Sequence, residues 1–504
     1  MKQFDNVRAH KPEGIEIRKA YIIGGGVAGL ASAVFLIDDC YVPGENVTIY
    51  DQLSVMGGSM DGAKIGDGKY TCRGERELEP YMECFWYLGN KIPSLYTPGR
   101  TITEETVDVN KADRIYAHSR ILHNRGQVWE GIRDFFMSKA LSQKLMEMMA
   151  IPEKEMDGLT IKEYFGDTFE EFQKHPIWQC FHTMLAFKDY HSMIEMKRYM
   201  VRFVQFQPRM DVLDGQIHTK HNEFDSYIDP ILHWLRDKDV HFVNGVTVTD
   251  LKMNGDFSAV TEIDGKGPNG EFAIPVAETD MVISTLDSMT QNSTHGDNTH
   301  AVTTNLSTEK GMFSVWQKLA ARDPKFGHPE KFCSTVEKSK WMSAFVCIKG
   351  YKEFCAKFRE KYGYPKDSVT GAISIMDSSW DISFILYDKY FANQAEDEDF
   401  LWFDGLYGER VGDYIKKPMA DCTGEEVMQE FLYHLGMLDQ YDELMKHTYV
   451  SLTMMPYITS QFMPRNSKGD RPRVIPEGSM LVSMWNWTAT WCSPWKPVCA
   501  RPMA

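Results

Sequence analysis

The sequence predicts an α/β protein built on a doubly wound parallel sheet, and three observations support this. A short apolar run, residues 20–23, leads into G-x-G-x-x-G spacing at Gly24, Gly26 and Gly29. An alanine-rich segment up to Ile37 then fits a helix. A second apolar run, residues 47–50, ends in Asp51. Strand, glycine turn, helix and acid in this order predict a Rossmann-like unit that binds a dinucleotide.

Each part of this unit has a physical role. The first glycine allows the tight turn, the second lets a pyrophosphate approach the backbone, and the third lets the helix pack on the strand. The positive end of the helix faces the phosphate. Asp51 is placed to accept a ribose hydroxyl, although the loop at residues 43–46 lengthens its separation from Gly24 beyond the usual spacing of about 20 residues. The alternative is a glycine-rich turn in an unrelated sheet.

Composition limits the class of protein. A chain of 504 residues with 43% hydrophobic content is expected to form one to three domains with a large core. The formal charge of −16 argues against a nucleic-acid binder. Ten scattered cysteines, without a C-x-x-C pair or a secretory signal, indicate a cytoplasmic protein, and no histidine–cysteine spacing resembles a metal site. Residues 20–37 carry no charge, but five of these 18 are glycine or serine, so we predict no membrane span.

The pattern along the chain predicts a dinucleotide-binding domain that other segments interrupt. Its first part covers residues 15–125. Residues 126–215 are predicted to form a helical insertion, because apolar residues recur there at helical spacing. Strand-like runs at 241–248 and 280–285 predict a return to the first sheet within residues 216–310. Residues 311–455 are predicted to form a mixed α+β substrate domain, and residues 456–504 a final segment of the dinucleotide domain.

Two segments carry candidate chemistry. Residues 73–77 read Arg-Gly-Glu-Arg-Glu, and an arginine beside a carboxylate keeps it ionised and orients it, which suits a group that holds or deprotonates water. The alternative is a solvated charge cluster ahead of a helix. Tyr199 stands among Lys197, Arg198 and Arg202, and nearby cations would ease loss of its phenolic proton. The alternative for Tyr199 is a core position on an apolar helix.

These segments match a known family, because the chain resembles the oleate hydratases, also called myosin-cross-reactive antigens. The match is dispersed over about residues 17–480. The most specific segments are IIGGGVAGLASAVFLI, GGSMDGA, RGERE, HSMIEMKRYMVRF, STLDSMTQNSTHGD, GDYIKKPMADCTGEE and YITSQFMPR.

The resemblance implies an FAD-dependent enzyme that adds water to the cis double bond of long-chain unsaturated fatty acids, with no net redox change of the flavin. It implies a homodimer that makes peripheral contact with membranes. The family's catalytic glutamate falls on Glu77 and its catalytic tyrosine on Tyr199. Our hypothesis is that Tyr199 delivers the proton to the alkene and Glu77 holds the attacking water.

The resemblance also implies binding residues. The residues expected to contact FAD are Gly24, Gly26, Ala28, Gly29, Asp51, Gln52, Gly57, Gly58, Ser59, Met60, Arg76, Ser226, Thr285 and Ser288. The segment that binds the fatty acid carboxylate in the family falls on residues 383–391 here and is one residue shorter. Its threonine, asparagine and histidine are not retained, and Tyr387, Lys389 and Tyr390 are the candidates to replace them, because tyrosine hydroxyls donate hydrogen bonds and lysine pairs with carboxylates.

Other departures bear on activity. Glu75 stands where the family has glycine, so its carboxylate could compete with Glu77 for arginine. Asp287 also replaces a glycine and would disfavour an anionic reduced flavin by charge repulsion. The segment His221–Phe224 replaces a Y-N-Q-Y sequence. After Leu481 the tail VSMWNWTATWCSPWKPVCARPMA looks like a shifted reading frame or a mis-spliced end rather than a divergent terminus, and we expect loss of the last sheet strand and of a flavin contact.

Two other functions stay open. A flavin oxidase of the amine-oxidase type would share the dinucleotide domain, although RGERE and KRYMVRF favour hydration. A catalytically impaired homologue that binds FAD or fatty acid is favoured by Glu75, the altered carboxylate segment and the tail.

Overall fold

The chain is organised around two large sheets in the computed structural model. The structure describes residues 11–60, 62, 64–74, 78–80, 82–113, 117–129, 136–203, 212, 215–285, 288–307, 311–365, 370–387, 391–392, 394–467 and 479–482. In this part of the chain, the helices are all too short or too polar to cross a bilayer.

The first sheet contains five parallel strands. Their order across the sheet is Ser479–Val482, Met281–Thr285, Ala20–Ile23, Val47–Asp51 and His241–Asn244. The central strand Ala20–Ile23 is buried at every position, as expected where both faces of a parallel sheet are covered. The mixed α/β architecture with a parallel sheet, predicted from the glycine-rich unit, is therefore confirmed.

An edge strand of this sheet lies just before the tail. Ser479–Val482 pairs in parallel with Met281–Thr285, from Val282 opposite Ser479 to Thr285 opposite Val482. We expected a strand to be lost after Leu481, and this expectation stays a prediction. Residues 483–504, which include the tryptophan-rich sequence, lie outside the described residues.

The second sheet contains eight strands and is mostly antiparallel. Their order is Thr294–Gly296, Thr448–Met455, Trp341–Lys349, Glu398–Gly405, Ile382–Tyr387, Ile373–Ile375, Arg120–His123 and Gln127–Val128. Residues 120–128, which we assigned to the junction of the first domain segment and the helical insertion, form the edge of this sheet. The predicted domain boundaries remain predictions.

The two faces of the large sheet meet different partners. On Trp341–Lys349, alternate residues such as Ala344 and Val346 enter a core that includes apolar residues of the helices Glu353–Tyr362 and Gly424–Leu435. The intervening Phe345 and Cys347 enter a second cluster with Trp402 on the neighbouring strand. One face of the sheet therefore packs against these helices, and the other face carries a separate apolar cluster.

Two smaller sheets and the helices complete the described fold. The small sheets are Thr247–Met253, Val260–Gly267 and Gly270–Pro275, and the hairpin Lys64–Gly66 with Lys69–Tyr70. The α-helices are Val27–Asp38, Glu83–Lys91, Ile102–Ala112, Lys139–Ala150, Ile161–Phe165, Phe169–Gln173, Pro176–Leu185, Met193–Phe203, Asp229–Arg236, Met312–Arg322, Glu330–Cys333, Val336–Ser339, Glu353–Tyr362, Gly424–Leu435 and Tyr441–Leu444, with a π-helical turn at Phe224–Ile228.

The distinctive segment GDYIKKPMADCTGEE has a structural role. The buried carboxylate of Glu430, on the helix Gly424–Leu435, accepts the backbone N–H groups of Asp413, Tyr414 and Ile415 at 2.5–2.9 Å. The His434 ring lies 3.2 Å from the carboxylates of both Glu430 and Asp413. Although these three side chains bring possible metal-ligand atoms within 4.8 Å of one another, the hydrogen bonds to Glu430 explain the cluster as a tie between loop and helix.

Replacement of Glu430 should therefore destabilise the protein. The substitution Glu430→Gln places an amide N–H group among backbone donors, and we expect a loss of about 2–4 kcal/mol in the free energy of unfolding. Urea unfolding measures this loss. The exposed Glu425 on the same helix provides the control, since Glu425→Gln should have little effect. Equal effects of the two substitutions would contradict the structural role of Glu430.

Candidate functional site

The glycine turn packs tightly between strands of the parallel sheet. Gly24 has a φ of +106° and donates its N–H group to the carbonyl of Tyr50 at 2.8 Å. A side chain at Gly24 would overlap the hydroxyl of Thr285, which donates to the carbonyl of Ile23 at 2.9 Å. Thr285, one of the predicted cofactor contacts, thus packs directly against the turn.

The other two motif glycines meet different constraints. A Cβ on Gly29 would overlap the carbonyl oxygen of Gly24, so the helix reaches the strand only because this position lacks a side chain. Gly26 has a φ of −71°, which any residue adopts, and a Cβ there would meet its nearest neighbour, the Cα of Gly58, at 3.6 Å. Gly26 is therefore not required by packing, and its missing side chain leaves room beside the backbone.

The helix Val27–Asp38 presents an N-terminus suited to an anion. Gly26 is the residue before its first turn and supplies no side-chain cap, and the first turn, which includes Ala28, holds no acidic residue. The unpaired N–H groups and the dipole at such an end attract negative charge. The arrangement therefore fits a pyrophosphate group approaching Gly26.

The second glycine segment lies against the first. Gly57 donates its N–H group to the carbonyl of Gly25 at 2.8 Å, and both Gly57 and Gly58 have positive φ angles. Met60 is buried in the core of this region, and Ser59 is half-buried. The structure thus brings both predicted cofactor segments together.

Asp51 lies at the turn but is already hydrogen-bonded. One carboxylate oxygen accepts the N–H group of Gly25 at 2.6 Å and the other accepts that of Leu53 at 2.7 Å. Burial raises the pKa of Asp51, while these two hydrogen bonds and the charge of Arg73 oppose the rise. Each carboxylate oxygen can accept a further hydrogen bond, so a ribose contact stays a prediction. Gln52, which follows it, is exposed.

The RGERE segment is anchored beside the glycine loops. The buried guanidinium of Arg73 donates to the carbonyl of Gly58 and lies 3.5 Å from the hydroxyl of Thr290. Leu78, just after the segment, exchanges backbone hydrogen bonds with Ile217 at 2.9 and 3.0 Å. Glu75, Arg76 and Glu77 lie outside the described residues, so the role of Glu77 remains a prediction.

Tyr199 lies on the helix Met193–Phe203, which we call the Tyr199 helix. Its ring is half-buried and makes edge-to-face contacts with the rings of Phe187 and Phe462, at centroid distances of 5.2 and 5.4 Å. These rings belong to an apolar cluster that joins the helical segment to the loops of the large sheet.

Two of the cations expected around Tyr199 are bound elsewhere. Arg198 donates to Glu153 at 2.7 and 2.8 Å and to Glu195 at 2.8 Å, and Lys197 donates to the carbonyl of Ile151. Successive residues on a helix point about 100° apart, so neighbours in sequence turn to other surfaces. The side chain of Arg202 lies outside what the structure describes.

The remaining predicted contacts occupy several positions. The buried Ser226 hydroxyl exchanges hydrogen bonds with the backbone of His221 at 3.0 Å, and Ser288 lies 3.3 Å from the hydroxyl of Thr290. Tyr387 is buried at the end of its strand, 6.1 Å from the ring of Phe391. Lys389 and Tyr390 lie outside the described residues. The carboxylate role of this segment stays a prediction.

Comparison with known proteins decides the family, because residues 17–485 match the MCRA family. The chain belongs to the MCRA family. It is 35% identical to an oleate hydratase of Streptococcus pyogenes serotype M49 (strain NZ131) over 94% of this chain and 81% of that protein. It is 27% identical to a linoleate hydratase of Lactiplantibacillus plantarum over 92% of this chain and 87% of that protein. The predicted resemblance is thus confirmed.

A solved structure is also similar in outline. An oxidoreductase from Methanosarcina mazei aligns over 92% of this chain and 94% of its own length, at a TM-score of 0.47 and 13% identity. This similarity is too low to add to the MCRA assignment.

A row of buried polar groups in this MCRA protein is not evident from its sequence. Ser374, Ser383, Asp404, Ser343 and Thr453 lie directly opposite one another on neighbouring strands of the large sheet. Cross-strand partners share a face of the sheet, so these side chains line one row. Strand alternation would have indicated the shared face, but only the strand order brings the five together.

Asp404 is the charged member of this row. Ser383 donates to one of its oxygens at 2.7 Å, and the other has no partner among the described residues. Complete burial raises the pKa of Asp404 to about 8, with a smaller contribution from Asp381. The carboxyl is therefore mostly protonated at neutral pH.

This raised pKa should make stability fall as pH rises. Between about pH 4, where the carboxyl ionises in the unfolded chain, and pH 8, the folded state holds a proton that the unfolded state has lost. The free energy of unfolding should then decrease by up to about 1.4 kcal/mol per pH unit from this group. Asp404→Asn should remove that contribution, whereas substitution of the exposed Asp397 by Asn should not. Urea unfolding at pH 5, 6.5 and 8 tests this, and identical pH slopes in wild type and Asp404→Asn would refute it.

Proposed function

We propose that this protein is an FAD-dependent hydratase that adds water to the cis double bond of long-chain unsaturated fatty acids. The observation that carries the proposal is the 35% identity to an oleate hydratase over 94% of the chain, within a family match that covers residues 17–485. The second relative, a linoleate hydratase, supports the same substrate class.

The glycine turn supports FAD as the cofactor. A dinucleotide needs a backbone that it can approach, an anion-attracting helix end and a hydrogen-bond acceptor for ribose. Gly26 supplies the open backbone, the helix Val27–Asp38 supplies the N-terminus, and Asp51 supplies the acceptor. When bound, FAD would help to position and polarise the catalytic groups. In this proposal the parallel sheet is the Rossmann-like FAD domain.

The chemistry requires an acid and a held water. An isolated alkene is a poor base, so a positioned acid must protonate one carbon while water attacks the other. We assign the proton to the phenol of Tyr199 and the attacking water to Glu77, which takes up the proton that the water releases. General acid–base help of this kind contributes about 10²–10⁴-fold to the rate.

The surroundings of Tyr199 suit an apolar substrate. Phe187 and Phe462 pack against its ring, within a cluster rich in phenylalanine and methionine. An alkyl chain gains free energy by moving from water into such a cluster, and exclusion of water protects the carbocation-like state from uncontrolled attack. We further propose that the protein is a cytoplasmic homodimer that takes fatty acid from membrane surfaces by peripheral contact.

The two motif glycines should separate FAD binding from folding. Gly26→Ala fits the observed backbone and packing, so the melting temperature without added cofactor should change little, but the methyl group should block the pyrophosphate. Gly29→Ala should lower the melting temperature, because its Cβ overlaps Gly24. The measurements are flavin absorbance after purification and thermal unfolding. A yellow Gly26→Ala protein with full FAD content would contradict this placement of the cofactor.

The catalytic role of Glu77 is tested by the isosteric change Glu77→Gln. It should lower hydration by about 10²–10⁴-fold while FAD binding survives, because the amide cannot take a proton from water. The assay incubates protein, FAD and a reductant with oleic acid and detects the water adduct by mass spectrometry. Glu75→Gln provides the matched control and should remain active. Full activity of Glu77→Gln would remove the assignment, and an inactive wild-type protein that holds FAD would favour the non-catalytic homologue.

A further inference from the structure

Glu195, one helical turn before Tyr199, is a buried carboxylate that two arginines share. Its side chain is 1% exposed, and its Oε1 atom accepts a hydrogen bond from Arg198 at 2.8 Å and pairs with Arg465. The side chain of Arg465 is also buried, at 5% exposure. Salt screens buried ion pairs much less than exposed ones, so the attraction between Glu195 and Arg465 persists at physiological ionic strength.

The charges in this group balance. Arg198 binds Glu195 on one side and both carboxylate oxygens of Glu153 on the other, at 2.7 and 2.8 Å. The hydrogen bond from Arg198 is the main cause that lowers the pKa of Glu153, so this carboxylate is ionised at neutral pH. Two arginines thus face two carboxylates, and removal of Glu195 or Arg465 alone would leave one excess charge in the buried group.

Arg465 belongs to the same segment as Phe462, whose ring packs on that of Tyr199. This segment, residues 456–465, directly follows the strand Thr448–Met455 of the large sheet, and we call it the Phe462 segment. The ring centroids of Phe462 and Tyr199 are 5.4 Å apart. The carbonyl of Phe462 accepts the N–H group of Ser192, just before the Tyr199 helix, at 2.5 Å. One segment therefore contacts the helix through backbone, ring and charge.

The Phe462 segment is itself fixed to the large sheet. Thr459 donates its N–H group and its hydroxyl to the carbonyl of Ser339, at 3.1 and 2.9 Å. The hydroxyl of Ser339 donates in turn to the carbonyl of Pro456 at 2.8 Å. Ser339 stands two residues before the strand Trp341–Lys349, so these bonds anchor the segment to the sheet at a second strand.

The contacts with the Phe462 segment lie along one side of the Tyr199 helix. Ser192, Glu195 and Tyr199 are separated by three and four residues, the spacing that places side chains on the same helix face. The rise from Glu195 to Tyr199 is about 6 Å. An 11-residue helix held at points this far apart can neither slide nor rotate freely, so the place of the Tyr199 phenol depends on the pair at Glu195.

We propose that Glu195 and Arg465 are positioning residues, whose ion pair holds the phenol of Tyr199 where it protonates the alkene. The inference rests on the proposed function, because it takes Tyr199 as the acid. Both residues act through the helix and not on the reacting atoms. Proton transfer needs its partners within hydrogen-bond reach, and a misplacement of about 1 Å is enough to lower a rate by about 10²-fold.

The test compares wild type with Glu195→Gln, Arg465→Met and the double variant. Glu153→Gln is the matched control, because it removes a carboxylate from the same charge group but leaves Glu195 paired with both Arg198 and Arg465. For FAD-loaded protein, kcat and KM for oleate are expressed per bound flavin, and thermal unfolding gives the melting temperature. Hydrogen–deuterium exchange at residues 193–203 reports on the helix independently of activity.

Each single variant should lower kcat by about 10- to 100-fold with KM unchanged, and exchange at residues 193–203 should be faster. Each should also melt earlier, because one buried charge lacks its partner. The double variant should regain most of the melting temperature, since both charges are gone, but its kcat should stay low. Arg465→Lys, which keeps the charge, should recover part of the kcat that Arg465→Met loses. Glu153→Gln should keep the kcat of wild type.

A double variant with wild-type kcat would overturn the inference, because the pair would then serve only to avoid an unpaired charge. Unchanged kcat and unchanged exchange in Arg465→Met would overturn it as well. The proposed function fails separately, if wild type that holds FAD forms no hydroxy acid. Faster exchange in Arg465→Met would in that case retain the anchoring of the helix and remove only the reaction.

Discussion

The close contact between Gly24 and Gly29 governs the arrangement of the first half of the molecule. Because a Cβ at Gly29 would overlap the carbonyl oxygen of Gly24, the helix Val27–Asp38 approaches the central strand only with glycine there. This approach aims the first turn of the helix over the ends of the parallel strands, beside the second glycine segment and Asp51. Arg73, the first residue of the RGERE segment, donates to the carbonyl of Gly58 and so packs against the same glycine turn.

The two faces of the large sheet pack against different parts of the protein. One face is sealed by apolar residues of its own helices, including Gly424–Leu435, whose Glu430 also fastens the neighbouring loop. The other face carries the row around Asp404 and meets the aromatic cluster of the Tyr199 helix. Among the described residues, one oxygen of Asp404 and the indole nitrogens of Trp341 and Trp402 are buried on this second side without a hydrogen-bond partner.

The chain belongs to the family but departs from its pattern in the segment expected to bind the carboxylate. The MCRA match extends over most of the chain, yet the residues expected to hold the carboxylate differ from the family pattern at Ile385 and Tyr387.

The sequence by itself determined the features that rest on local patterns. The glycine spacing predicted the strand, turn and helix around Gly26, and motif segments predicted the family, because both depend on residues close together in the chain. It did not place Lys197 and Arg198 correctly, since neighbours on a helix point to different surfaces.

Only the tertiary structure decided which distant groups share a buried site. Asp404 meets Ser383 and Ser343 through strand order, and Arg465 meets Glu195 across more than two hundred residues of chain. The raised pKa of Asp404 follows from burial, which no sequence window measures. Sequence fixes the residue types and their local geometry, whereas desolvation and missing partners arise only when separate segments close around them.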